Sequence, residues 1–372
     1  MNKILFRLNA TYKSFITVFK YKLIVLSYKL KPVHKLPKLP SLPSGELNVL
    51  FLGSDYVQDM SGMVQGLKKH CKIHFFTKLD GSYGLYPSKS LRDLSVCDLN
   101  SSRLKKIVDE MALDGHPPSI IIGQIWGHCF DANLLNEFRA KYQTISISIG
   151  MDDRHTFWGG FGKNKSLGTY GLSKYVDLHL STSPECVSWY HKEGCNAIYF
   201  PEASDSTIFK PIANVKKKYD ICFVGAKYGF RGELIDYLRS SGLQVNTYGD
   251  GWGSKRISID EMAQIFSESK IILGFGGIGH CKDFYSLKLR DFDAPMSGSF
   301  YLTSANKDLK DLYLIGSEIE VYANKSECLK KIKFYLNNDV IREGIALAGH
   351  RRASFEHTWD IRFSQLLDIF NA

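Results

Sequence analysis

The first 45 residues contain no Asp or Glu, against eight Lys and one Arg. That segment therefore holds +9 of the net charge of +10 carried by the 372-residue chain, leaving +1 for everything after it. A body so close to neutral excludes a broad nucleic-acid-binding surface, and no nucleic-acid partner is expected. Long apolar runs are also missing. The two apolar, charge-free runs near the start, residues 14–19 and 23–28, are six residues each, far below the ~18 needed to cross a bilayer. No small-residue cleavage site follows them, so neither a membrane span nor a secretory signal is expected. Eight cysteines form no C-x-x-C pair and no zinc-ligand spacing. They read as small buried thiols of a reduced, cytoplasmic protein, with no metal site and no structural disulfide.

What the first segment does contain is Lys interleaved with Phe, Tyr, Ile and Leu. Such composition suits an anionic membrane surface, here the inner face of the membrane. Association with a partner or a second copy, and a tail without function, are the other readings. On a helical wheel Lys13, Lys20 and Lys31 separate from Lys3, Arg7, Lys22 and Lys29, so no single polar face emerges. Pro32, Pro37, Pro40 and Pro43 then break regular structure. Residues 1–46 are expected to be a basic aromatic tail and a stiff, extended tether of roughly 3 Å per residue.

The remaining length exceeds one ordinary core, and two domains are expected. Strand-length apolar runs at 47–53, 71–76, 119–124, 144–149, 176–181 and 196–200 alternate with helical patterns. One of these, 103–113, puts Leu104, Ile107, Val108 and Met111 on one face. The alternation predicts an α/β domain with a parallel sheet over 47–205. After the fourth run comes Gly150-Met-Asp-Asp153-Arg-His155, where a carboxylate could orient an acceptor hydroxyl or take its proton. A turn capped by Asp152 or Asp153 fits the same residues.

A hinge is expected at 206–218, with Pro201 before it and Pro211 restricting the chain within it. A second α/β domain, 219–355, opens with a strand ending at Gly225, then Lys227 and Arg231 at the head of a helix. The run Val245-Asn-Thr-Tyr248-Gly249-Asp-Gly251-Trp252 comes next. Its centre is 270–303: a strand run at 271–275, a glycine-rich turn, Lys288, Arg290, Asp291 and Asp293 on a helix over 287–296, then Gly298 and another apolar run. Cations at a helix start suit a phosphate, and Asp293, about one turn from Arg290, could face a ribose hydroxyl. The bland alternative is a solvated face of weak ion pairs. Gly274-Phe-Gly276-Gly-Ile-Gly279 also matches G-x-G-x-x-G, but it falls late in its domain and no helix pattern follows at once. It reads as a flexible substrate loop and not as a dinucleotide fingerprint. A last helix over 356–372 is expected to cross back to the first domain.

The run K-x-R-x-F-D-A-P-x-S-G-x-F-Y-L-T at 288–303 resembles the nucleotide-sugar-binding segment of GT-B glycosyltransferases, and most closely the CgeB-type, spore-maturation-protein-like branch. The resemblance extends over roughly 47–370. It implies two Rossmann-like domains facing a cleft, with a nucleotide-diphosphate sugar as donor substrate, no cofactor, and a glycan, lipid-linked, envelope or protein acceptor. It implies donor contacts at Gly225, Arg231, Tyr248, Gly249, Lys288, Arg290, Asp293 and Gly298. Arg231 and Lys288 would share catalysis with Asp153 and His155, without a metal and with retention as the favoured outcome. Many retaining relatives carry a second carboxylate eight positions before the ribose carboxylate, where this chain has Tyr285. That departure leaves open a non-catalytic envelope- or surface-assembly protein that kept the fold.

Overall fold

A computed structural model describes residues 3–88, 95–162, 165–253, 256–281 and 283–371, with backbone alone for 3–10, 161, 162 and 165. The chain opens with one long helix, α1 (Lys3–Leu30). It then divides into two compact units. One comprises 21–60, 64–201 and 362–372; the other comprises 1–20, 61–63 and 202–361.

The first-sheet unit is built on β1 (Asn48–Leu52), β2 (Lys72–Phe75), β3 (Ile120–Gly123), β4 (Ile145–Gly150), a two-residue hairpin β5 (Phe161–Gly162) and β6 (Lys165–Ser166), then β7 (Leu178–Ser181) and β8 (Ala197–Tyr199). Its six-stranded sheet runs β2-β1-β3-β4-β7-β8 with every pair parallel. The near-continuous Ile, Leu and Val runs follow from burial on both faces. Helices α2 (Tyr56–Met60), α3 (Met63–Lys68), α4 (Cys97–Leu113), α5 (Asn133–Tyr142), α6 (Asp153–Thr156) and α7 (Pro184–His191) connect the strands. Leu104, Ile107, Val108 and Met111 of α4 are all buried against Leu50, Leu52 and Ile121.

The second-sheet unit orders β10 (Val245–Tyr248), β9 (Tyr219–Val224), β11 (Ser269–Leu273), β12 (Phe300–Ser304) and β13 (Glu320–Tyr322) as β10-β9-β11-β12-β13, again all parallel. Its helices are α8 (Arg231–Ser240), α9 (Ile259–Ser267), α10 (Arg290–Met296), α11 (Lys325–Leu336) and α12 (Asp339–Glu356); the last helix, α13 (Trp359–Asn371), belongs to the first-sheet unit from Arg362 onward. One core lies under α8 and α11, with Leu234, Leu238, Cys328 and Ile332. Another lies under α9 and α10, with Phe266, Phe292 and Met296. In each unit the strand order reverses beside the first strand, and the crevice outside the strand ends at that reversal is where α/β sheets bind ligands.

Two expectations change. The start of the chain is not a detached tail, because residues 3–30 are helical and Ile24 and Tyr28 are buried in the first-sheet core. The hydrophobic gain from burying them is what a loose tether would forgo. The division between the units falls at Pro201, ahead of 206–218. The last helix is counted with the first-sheet unit only from Arg362 onward, where Phe363 packs on Phe200 and Arg362 Nε donates to the Pro201 carbonyl. All eight cysteines are free thiols, seven of them buried.

Candidate functional site

The second-sheet reversal lies between β9 and β11, and the turn after β9 is set by glycine. Gly225 has φ +145°, and a Cβ there would sit 2.7 Å from Arg290 Nη2. Gly249, after β10, has φ +117°, and its Cβ would meet the Gly225 carbonyl carbon at 2.8 Å. Both conformations favour glycine, and both let backbone pass where a side chain could not. The Gly225 N–H donates to the Tyr248 carbonyl at 2.8 Å, and its own carbonyl accepts from Trp252 Nε1 at 2.7 Å.

Into this turn come two guanidinium groups. Arg231, the first residue of α8, is 8% exposed; its Nη1 donates to the Ala226 carbonyl at 3.1 Å and Nη2 to Phe275 at 3.4 Å. Arg290, the first residue of α10, is 9% exposed, donates from Nε to the Val224 carbonyl at 2.7 Å and lies 4.6 Å over the Phe223 ring. Arg231 Nε and Arg290 Nη1 are buried without a hydrogen-bond partner, and among the described residues neither group forms an ion pair. Burial, and then the like charge of Arg290, pull Arg231 down to about 10, which still leaves it cationic at neutral pH. Two buried like charges without counter-ions are costly, and they become favourable when an anion takes their free N–H groups.

The charge run around Arg290 is not a solvated face, since Arg290, Asp291 and Asp293 are all buried. The helix begins at Arg290 instead of residue 287 and is seven residues long, so Lys288 precedes it. Asp291 explains the later start: its carboxylate accepts from the Lys288 N–H at 2.8 Å and from the Tyr301 hydroxyl at 2.6 Å. Asp293 accepts from the Ser204 hydroxyl at 2.7 Å. Burial, with Glu202 and Asp205 nearby, holds its carboxyl well above the usual carboxylate range. Gly298, at φ +72°, ends α10 tight against Pro211, with its Cβ position 2.8 Å from Pro211 Cγ. Gly225, Arg231, Tyr248, Gly249 and Arg290 therefore meet at one turn, whereas Gly298 lies at the far end of α10.

The glycine-rich loop after β11 is pinned where a flexible loop was expected. Gly276 N–H donates to Ser304 Oγ at 2.9 Å, Ser286 N–H to the Gly276 carbonyl at 3.0 Å, and Ile278 N–H to Phe284 at 2.9 Å. Beside it opens a cleft of about 310 Å³ with Phe230, Phe275, Tyr285 and Tyr322 as aromatic walls and Asp283 and Lys325 among its polar lining. Sequence reasoning did not single out Phe275 or Phe230; only their positions next to Gly274 and Arg231 could have done so.

In the first-sheet unit, Asp153 is 0% exposed. Oδ1 accepts from Thr169 at 2.9 Å and Tyr190 at 3.0 Å; Oδ2 accepts from Ser181 at 2.6 Å and meets His179 Nε2 at 3.0 Å. Burial pushes this carboxyl up, but His179 and the hydroxyl donors outweigh it and hold it below the usual range. The other His179 nitrogen meets Ser148. An enclosed carboxylate of this kind ties α6 to β7 and α7 and reaches no surface. His155 is half-buried two residues further on. Asp59, absent from the sequence expectations, is the buried carboxylate at this unit's own strand reversal: it accepts from Ser54 N–H at 3.0 Å and from the Tyr83 hydroxyl at 2.9 Å. Burial pushes it up to about 6. Among the described residues no group of three or more His, Cys, Asp or Glu could hold a metal ion.

Residues 231–368 match a family model described as glycosyl transferase-like. No protein of curated function matches the chain by sequence. Among solved structures, sucrose-phosphate synthase from Thermosynechococcus elongatus superposes with a TM-score of 0.62 at 11% identity, covering 88% of this chain and 98% of that one. HepE of Anabaena, in complex with UDP, gives 0.60 at 10% identity, covering 87% and 100%. A glycosyltransferase from Rickettsia africae gives 0.57 at 8%, covering 88% and 98%. The chain has the GT-B fold.

Proposed function

We propose that the protein is a glycosyltransferase that moves a sugar from a nucleotide-diphosphate donor, held by the second-sheet unit, to a glycan, lipid-linked, envelope or protein acceptor. The observation that carries this reading is the pair of buried guanidinium groups, Arg231 and Arg290, whose Nε and Nη1 have no partner beside the Gly225 turn. A diphosphate is the anion that can accept from both at once. The family-model match over 231–368 supports a glycosyltransferase, and the resemblance of the 288–303 motif is the support for the CgeB-type branch.

In this mechanism the donor diphosphate lies across Gly225, with Arg231 and Arg290 donating to its oxygens and Lys288 adding a third cation. As the glycosidic bond breaks, negative charge grows on the leaving diphosphate. Preorganised donors in a dry site stabilise that charge by several kcal/mol. We assign no step to a metal. Asp293 takes the ribose hydroxyls, exchanging its Ser204 hydrogen bond for the ligand's. On the acceptor side His155 is assigned to the acceptor's proton, in the turn that Asp153 anchors. Retention is the expected stereochemical outcome. Residues 1–45 attach the enzyme to an anionic membrane surface on the cytoplasmic side, their +9 charge being the support.

One observation favours a second reading, a protein that binds nucleotide sugars without turning them over. Tyr285, at the position of the second carboxylate of retaining relatives, walls the aromatic cleft. Calorimetry with a panel of nucleotide sugars, beginning with UDP-sugars because HepE holds UDP, followed by hydrolysis and transfer assays, separates the two. Binding with turnover supports the enzyme. Binding without turnover under any acceptor supports the second reading, and absence of binding rejects both.

A further inference from the structure

The lysines of the first segment fall in two groups on a helical wheel, and the docked helix gives that division a geometric meaning. Tyr12, Phe15, Phe19, Leu23, Leu26 and Leu30 are all exposed, Phe15 at 68% and Leu30 at 83%. Their spacings of three or four residues make one continuous stripe along α1. Ile24 and Tyr28 lie on the opposite face and are buried in the first-sheet core. At 3.6 residues per turn, Lys13 and Lys20 border the stripe on one side, and Lys22 and Lys29 on the other. All four lysines are exposed.

The roll of this helix is fixed by specific bonds. Tyr21 donates to Glu185 at 2.8 Å, Tyr28 donates to Glu193, and Lys192 donates to the Tyr28 carbonyl. A free amphipathic segment would turn its apolar stripe inward. Here the tyrosine face is already committed to the core, so the apolar stripe must face out. Phe15 and Phe19 stack on each other 6.0 Å apart within it.

We propose that this outer face of α1 is a wedge that inserts into an anionic lipid surface, its six apolar side chains entering the headgroup–acyl boundary and the lysines on both flanks binding lipid phosphates. Charge decides the occupant. The stripe is bordered on both sides by one sign of charge, and the first 45 residues hold no acidic residue. A second copy of the same face would repel it, whereas anionic headgroups complement it. No helix among the described residues is long and apolar enough to cross a membrane, so the helix lies along the surface. The proposal rests on the membrane attachment put forward above and changes its character: apolar insertion by a helix of fixed orientation replaces a charged, flexible tether.

The test uses the full chain and vesicles of phosphatidylglycerol mixed with phosphatidylcholine, with phosphatidylcholine-only vesicles as reference. The variant Phe15→Ser/Phe19→Ser/Leu26→Ser keeps every charge and alters only exposed side chains. Its vesicle partitioning is expected to fall on the order of tenfold or more, with melting temperature and nucleotide affinity unchanged. Lys13→Gln/Lys20→Gln/Lys22→Gln/Lys29→Gln is expected to weaken binding to the anionic vesicles as well. Wild-type-like binding by the serine variant overturns insertion while leaving charge-driven attachment intact. Failure of the wild-type chain to sediment with anionic vesicles overturns both. A dimer in light scattering that the serine variant dissolves would show that a second copy, and not lipid, covers the stripe.

Discussion

Each unit buries charge, and the two do so in opposite ways. In the first-sheet unit Asp153 is enclosed with four side-chain partners, Thr169, Tyr190, Ser181 and His179. In the second-sheet unit Arg231 and Arg290 are nearly as buried, yet each keeps an N–H without a partner. A buried charge whose hydrogen bonds are all made inside the protein belongs to the architecture, and removing it leaves its donors stranded. A buried charge with unmet hydrogen bonds weakens the empty fold and strengthens the bound one, which is how binding sites depart from stability optima.

The largest effect should come from Asp153→Ala, which strands His179 and three hydroxyls. A loss of about 3–5 kcal/mol in denaturant unfolding is expected. A variant that instead keeps wild-type stability and loses only turnover would make Asp153 catalytic and erase the contrast. Arg290→Met and Arg231→Met should act the other way. Each is expected to cost nucleotide binding about 1–3 kcal/mol, the range for a charge-assisted hydrogen bond. Calorimetry gives that loss, and melting of the empty protein should show no drop, or a rise.

A pH experiment sharpens the comparison at the first-sheet reversal. The folded pKa of Asp59, about 6, lies above the ~3.9 of an unfolded Asp. The fold therefore favours the neutral carboxyl. Its contribution to stability is fully present below about pH 4 and is lost as pH rises through 6. Asp59→Asn removes that loss, so the variant should gain up to about 3 kcal/mol over wild type at pH 7 and nothing near pH 4. A gain independent of pH would contradict the assignment. The smallest effect is Gly225→Ala, with a stability cost of about 1 kcal/mol and weaker nucleotide binding, because the methyl displaces Arg290 Nη2.

The strands were readable because a buried parallel strand writes itself as a short apolar run, and the runs ending at Gly53 and Gly225 led straight to both sheet reversals. Arg290 was readable as a candidate from the charges in its segment, and Gly225 and Arg231 from the family resemblance. Their burial was not, since Lys288, Arg290, Asp291 and Asp293 in sequence look the same whether a helix faces water or a core. The enclosure of Asp153 depends on Thr169, Ser181 and Tyr190, which are 16, 28 and 37 residues away. No local pattern carries such partners. The helix α1 defeated periodicity because it is apolar on two opposite faces, one buried and one exposed.

The most direct test is a calorimetric titration of the wild-type protein with nucleoside diphosphates and their parent nucleosides, UDP and uridine first. If Arg231 and Arg290 hold the diphosphate, the diphosphate should bind at least a hundredfold more tightly than the nucleoside, a difference of about 3 kcal/mol. That preference should collapse in Arg231→Met/Arg290→Met. Equal affinity for UDP and uridine, or a preference that survives the double substitution, would contradict the assignment.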